Sequence, residues 1–187
     1  VKVDHGAYYN ALYRVTVLVH ASLDLDRTLE VVVESVAEAM KARACALRLL
    51  DPAGQVLDLV ASTGLSFDYL HKGRIEVASS PVDQEALAGK VVAILDVASD
   101  SRLQYAADLL REGLRSVLVA PLIRHGVPLG VLRVYTDERH QFEQDEVDLL
   151  QALADICALA IENARLFSML RETTTDGIDA FWGTRSR

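Results

Sequence analysis

The sequence predicts an α+β fold built on a largely antiparallel sheet. Two hairpin signals, Asp51-Pro52-Ala53-Gly54 and His125-Gly126, each join two short apolar runs, and a hairpin requires antiparallel pairing. Helical periodicity fills both ends of the chain instead of alternating with strands, which argues against a doubly wound parallel sheet. No repeat, low-complexity tract or linker divides the 187 residues, so one domain with helical extensions is expected.

Two helices open the chain. In the first, Tyr8, Leu12, Val15 and Val19 recur at steps of three and four and share a face. Asp24 or Asp26 can cap the second, because a short carboxylate accepts from free N–H groups. Its stripe is Leu29, Val32, Val33, Val36 and Met40. Strands follow at 44–50 and 55–61, joined by a type I turn that suits Pro52 and Gly54. Residues 62–89 are mixed, with short helices expected near 66–71 and 81–88 around an irregular stretch. Val91–Leu95 reads as a buried strand, and 101–112 as a helix stopped by Gly113. Two more strands, 115–124 and 127–135, turn at His125-Gly126, where glycine tolerates positive φ.

From about 143 to 171 a long helix carries two adjoining apolar stripes. One is Leu149, Leu153, Ile156, Ala160 and Leu170; the other is Leu150, Cys157, Ile161 and Ala164. A helix lying on a sheet needs one stripe, so two imply a second packing partner. The expected organisation is an N-terminal helix over 1–21, a domain over 22–171 and a loose tail over 172–187 containing Trp182.

Composition narrows the function classes. The chain is 51% apolar and 25% charged with a net charge of −8. An acidic surface repels phosphate backbones and anionic lipid, so neither nucleic acid nor membrane is an expected partner. No apolar run reaches the ~20 residues that span a bilayer, and no signal peptide is visible, which makes a cytoplasmic location the expectation. Cys45 and Cys157 lie in apolar stretches outside any CxxC spacing, as buried thiols do. The sequence contains no GxSxG, HExxH, P-loop or GxGxxG motif. No two histidines stand at i, i+4, and no metal or catalytic site is assigned.

Three stretches carry a resemblance to a known family. They are SLDLDRTLEVVVESVAEAMKARACALRLLD at 22–51, LRSVLVAPLIRHGVPLGVLRVY at 114–135, and FEQDEVDLLQALADICALAIENARLF at 142–167. In this order and spacing the chain resembles the GAF domain family over roughly 20–170. The resemblance implies a PAS-like central antiparallel sheet of about five to six strands. Long terminal helices would lie on one face, and short helices and loops would form a pocket on the other. It further implies a regulatory role. Terminal helices would form a homodimer and signal to an output domain in a longer chain, such as a histidine kinase, cyclase or transcription regulator. On that reading Leu12, Val15, Val19, Cys157, Ile161, Ala164 and Phe167 form the dimer face.

The family's specialised chemistries fit poorly. The Asn-Lys…Phe…Asp-Glu set of cyclic-nucleotide binders is missing, and Cys45 precedes Ala46 rather than the His of bilin attachment. The cysteines fall on an expected strand and a long helix, not in the loops that free methionine sulfoxide reductases use. His71 is the one haem-ligand candidate in the covering segment, and it reads far more readily as a surface histidine on a short helix. No cofactor is expected.

Arg48 and Arg133 interrupt two apolar strands that the family's sheet order makes central neighbours. Side chains alternate faces along a strand. With Cys45, Leu47, Leu49, Leu132 and Val134 against the long helices, Arg48, Arg133 and Tyr135 point to the pocket side. Arginine is rarely buried unpaired, so each must meet a carboxylate, solvent or a ligand, which would be anionic. The family's lid pattern adds Phe67, Tyr69, His71, Ser79, Ser80, Asp96 and Tyr105 as pocket residues. Such a set suits a small-molecule site and equally a closed core. Three functions therefore stand: a small-molecule sensor, a docking or dimerisation module with a filled core, and, remotely, a sulfoxide reductase.

Overall fold

Residues 29, 32, 33 and 36 recur at helical spacing, and in α2 (Leu25–Ala39) all four side chains are fully buried. Each such burial contributes roughly 1.5–3 kcal/mol. The computed structural model describes residues 5–21 and 25–182, with side chains for 6, 8–17 and 25–166. Asp24 lies outside it, whereas Asp26 sits in the first turn of α2.

The strands are β1 (Ala44–Leu50), β2 (Val56–Thr63), β3 (Ile75–Glu76), β4 (Val92–Ile94), β5 (Ser116–Arg124) and β6 (Val127–Thr136). They form one six-stranded sheet in the order β3-β2-β1-β6-β5-β4, antiparallel throughout. β1, β6 and β5 are covered on both faces and accordingly read as nearly unbroken apolar runs. One face carries α1 (His5–Ala21), α2 and α6 (Gln144–Trp182), which bury Cys45, Leu47, Leu118, Leu132 and Val134. The other carries α3 (Phe67–Leu70), a 3-10 turn at Val77–Ser79, α4 (Pro81–Leu87) and α5 (Ala106–Arg111). Ala46, Val117, Val119, Val131 and Tyr135 lie beneath these short elements. The α+β architecture with a two-sided antiparallel sheet is as the sequence predicts.

Both hairpins have local causes. Asp51 Oδ1 accepts from the amides of Gln55 (2.7 Å) and Val56 (3.0 Å), closing the first turn. In the second, His125 and Gly126 both have positive φ, 51° and 77°, which matches the right-handed twist of β5 and β6.

Several boundaries move. β4 is an edge strand whose neighbour Leu95 is 48% exposed, so the buried strand expected over Val91–Leu95 is shorter and buried on one face only. α5 begins at Ala106 instead of 101, because Arg102 turns back onto Asp100 (2.7 Å) and Glu85 (3.0 Å). The irregular stretch contains β3, two residues long and paired with β2. α6 continues as a helix through the expected loose tail as far as Trp182.

The expected dimer face is largely internal. Val15, Cys157 and Ile161 have no exposed surface, and Leu12 packs against the same core. The second stripe of α6 thus meets α1 and α2 of its own chain, the packing partner that periodicity alone could not name. Ala164 is half-buried, and the side chains of Val19 and Phe167 lie outside those described. The exposed apolar residues of α1 are Tyr9, Tyr13 and Val17, at 74%, 72% and 45%. Among the described residues no helix is long and apolar enough to cross a membrane.

Candidate functional site

β1 and β6 pair so that Ala46 faces Arg133 across the ladder and Arg48 faces Val131. Arg48 and Arg133 are therefore diagonal neighbours on the face beneath α3 and α4, about 7–8 Å apart at the backbone. A bulge sits beside Arg48: Leu47 pairs with Ala61 but Arg48 with Leu59, leaving Val60 as the extra residue. Bulges of this kind re-aim the side chain next to them. On the other flank Gly130 lets the strands approach, since a Cβ there would lie 2.0 Å from the Arg48 carbonyl oxygen.

Both guanidinium groups are buried, each residue 2% exposed. Arg133 Nη2 donates to both carboxylate oxygens of Asp83, a residue of α4 with no exposed surface. Burial pulls the Arg133 pKa down, but the Asp83 charge and hydrogen bond together with Tyr135 and Tyr69 more than offset it, and the net shift is upward. Among the described residues Arg48 has no carboxylate partner. Its Nη1 donates to the Leu57 carbonyl at 3.2 Å. Burial lowers its pKa, and the neighbouring Arg133 charge acts in the same direction. Arg48 Nε, Arg133 Nε and the Tyr135 hydroxyl are all buried and have no hydrogen-bond partner among the described residues.

Lys72 completes a basic cluster. Its ammonium lies 3.7 Å from the Tyr69 ring centre and 5.3 Å from that of Tyr105, at cation–π distance. Burial first, and then the Arg48 and Arg133 charges, bring its pKa down to about 7. Tyr69 is 4% exposed and meets Tyr135 edge to face, with ring centres 6.5 Å apart.

Two openings flank this cluster. A cavity of about 200 Å³ reaches Arg48 between Leu57, Leu59, Leu70 and Gly73, with the Asp58–Arg74 ion pair at its rim. The space bounded by Tyr69, Lys72, Ser80, Tyr105 and Arg133 is only about 10 Å³, enough for about one water. On the Arg133 side Tyr69, Lys72 and Ser80 nearly close the space.

The predicted residues separate accordingly. Arg48, Arg133, Tyr135 and Tyr69 converge beneath the short helices; Ser80, 1% exposed, and Tyr105 border the small gap. The Tyr105 hydroxyl donates to the Arg74 carbonyl at 2.9 Å. His71 lines the larger cavity, its Nδ1 2.8 Å from the Phe67 carbonyl. Phe67 is 72% exposed and stacks on His71 at the surface. Ser79 is exposed, with its hydroxyl 3.3 Å from Glu76. Asp96 is elsewhere, accepting from the Ala98 amide and pairing with Arg139 at 3.1 Å. Among the described residues, no group of three His, Cys, Asp or Glu could hold a metal ion.

Asp83 and Lys72 were missed. Asp83 had a legible signal: it falls with Val82 and Ala86 on the buried face of α4, an acid inside an apolar stripe. Lys72 follows a helix of only four residues, too short for periodicity to orient it. Cys45 and Cys157 lie in the helix-side core, away from these cavities. Burial holds the Cys45 thiol well above its ordinary value and pushes Cys157 up to about 12, so neither supplies a thiolate near neutral pH.

Comparison with known proteins places this geometry. A model of the GAF domain family matches residues 22–162. The GAF domain of a phosphoenolpyruvate-protein phosphotransferase from Coxiella burnetii superposes with a TM-score of 0.78 at 25% identity, covering 89% of this chain and 99% of that one. A free methionine-R-sulfoxide reductase from Neisseria meningitidis, in complex with its substrate, gives 0.71 at 24% identity, covering 85% and 90%. A domain of a two-component sensor histidine kinase from Sinorhizobium meliloti gives 0.68 at 22% identity, covering 79% and 97%. No curated protein matches the chain.

Proposed function

Since the chain belongs to the GAF domain family, a family of commonly sensory or regulatory domains, we propose that it is a cytoplasmic sensor module that binds a small molecule beneath its short helices. The carrying observation is Arg48: a buried guanidinium with no carboxylate partner among the described residues, at the floor of a 200 Å³ cavity. A buried cation left without a counter-charge is costly, and a ligand is a common way to supply one. Binding biases an attached output domain only through different affinities for two states. The similarity to a histidine-kinase domain and to a phosphotransferase GAF domain supports such an attachment.

The sensor is not an enzyme on this reading. The reductase likeness extends to the fold, while the two cysteines here are buried away from the cavity with raised pKa values. Dimerisation is assigned to the outward stripe Tyr9, Tyr13 and Val17, since Leu12, Val15, Cys157 and Ile161, first expected there, pack within the chain's own core.

A second reading, a filled-core docking module, draws support from the 10 Å³ gap between Tyr105 and Arg133. The unpartnered Arg48 Nε, Arg133 Nε and Tyr135 hydroxyl beneath the short helices weigh against it, because a core evolved only for packing satisfies such groups. Native mass spectrometry with an absorption spectrum of the purified protein separates the two. The sensor reading expects a retained or titratable small molecule that Arg48→Met loses. A bare mass, together with no stabilisation by any metabolite in a screen, would favour the docking module.

A further inference from the structure

The geometry points to the chemical class of the ligand, an inference that rests on the sensor reading: the site takes a small oxyanion, carboxylate or phosphate, held by Arg48 and Arg133, and Asp83 is its internal stand-in while the site is empty. Three lines of geometry lead there. The first is charge. Arg48, Arg133 and Lys72 converge under α3 and α4; Arg133 pairs with Asp83 and Lys72 faces Asp108 and Glu112, while Arg48 meets the Leu57 carbonyl and, among the described residues, no carboxylate. Asp58 at the rim is engaged by Arg74 at 2.6 and 2.7 Å. A neutral ligand would leave this excess uncompensated; an anion removes it.

The second is the kind of atom left unpaired. Arg48 Nε and Arg133 Nε are pure donors, and the Tyr135 hydroxyl can donate. The partner they lack in common is an acceptor, and an oxyanion brings several.

The third is how Asp83 is held. Both its oxygens contact Nη2 of Arg133, and the Nε edge is left open. A side-on carboxylate or phosphate uses Nε and Nη2 together, the geometry in which arginine binds such groups best. An incoming anion can therefore occupy an edge that Asp83 leaves vacant. As it takes Nη2 as well, Asp83 is released, and with it α4, whose buried face otherwise rests on β5 and β6. The space for the ligand at Arg133 appears only then, which accounts for the small gap there.

The test is titration calorimetry of the full chain with succinate, inorganic phosphate and the neutral isostere succinamide, alongside amide hydrogen exchange of α4. Saturable binding of succinate or phosphate, with none by succinamide, supports the inference, and whichever anion binds tells carboxylate from phosphate. Arg48→Met should weaken that binding at least tenfold. Asp83→Asn should tighten it about tenfold, because the competitor is removed. Unchanged or weaker binding in Asp83→Asn would make Asp83 a support for Arg133 and overturn the stand-in role. If that variant does not fold, the wild-type arm decides: exchange in Pro81–Leu87 must rise at saturating anion, and unchanged exchange overturns the displacement. A neutral molecule found bound by native mass spectrometry, with no anion binding, would end the oxyanion inference while leaving the sensor reading intact.

Discussion

Replacing Asp83 by leucine leaves Arg133 charged, 2% exposed and without its carboxylate. Breaking one side of a buried ion pair costs about 3–5 kcal/mol. A chain of this size loses about 2–4 °C in Tm per kcal/mol, so the melting temperature should fall by roughly 6–20 °C. Arg133→Met, which strands Asp83 in the same way, should cost a similar amount. The double variant Arg133→Met/Asp83→Leu removes both charges and fills the space with apolar groups. It should return to within about 1 kcal/mol of wild type or exceed it by up to about 4 kcal/mol. Urea melts followed by circular dichroism, with m-values compared across the set, measure all three differences and the coupling between them. Two results would refute the reasoning. If each single variant lost less than about 1 kcal/mol, both groups would have to reach water in the folded state. If the double variant lost the sum of the singles, the pair would matter through shape and not through charge.

Arg48→Met should be neutral or stabilising in the same melts while weakening ligand binding at least tenfold, because it removes a buried cation that has no carboxylate partner among the described residues; a loss of several kcal/mol would show that the Leu57 contact is structural. Lys72 faces Arg48, Arg133, Asp108 and Glu112, with Tyr69 and Tyr105 against its ammonium, and its pKa falls from 10.5 to about 7. Between those values the unfolded chain binds the extra proton, so this group makes stability rise with pH above 7, and Lys72→Met should flatten that rise in denaturation series. An anion beside Lys72 favours its charged form, so binding at pH 8 should take up protons, measured by calorimetry in buffers of different ionisation enthalpy. Gly130→Ala should cost at least the ~1–3 kcal/mol of an overpacked core, since its Cβ meets backbone at 2.0 and 2.9 Å; a thermal melt unchanged from wild type would contradict the close approach of β1 and β6. Tyr9→Glu/Tyr13→Glu should convert a dimer to monomer in analytical ultracentrifugation with little change in Tm, because both residues are exposed in the single chain.

The sequence by itself determined what depends on neighbours along the chain. Alternation placed Arg48, Arg133 and Tyr135 on one face of the sheet and Cys45, Leu47 and Leu132 on the other, as observed. Turn chemistry at Asp51–Gly54 and His125-Gly126 set both hairpins and hence the antiparallel pairing. Helical periodicity gave α2 and α6 their buried stripes. Tertiary structure alone decided which side chains meet across long separations. Asp83 lies 50 residues from Arg133 in sequence, and nothing within a window of a few residues names that partner. The second stripe of α6 was legible as buried, yet whether a second copy or α1 and α2 covered it depended on how the chain closes on itself. The same holds for the pocket. Composition supplied aromatics, serines and arginines at plausible places. Whether they enclose a cavity or fill it is a matter of packing to fractions of an ångström, which periodicity does not encode.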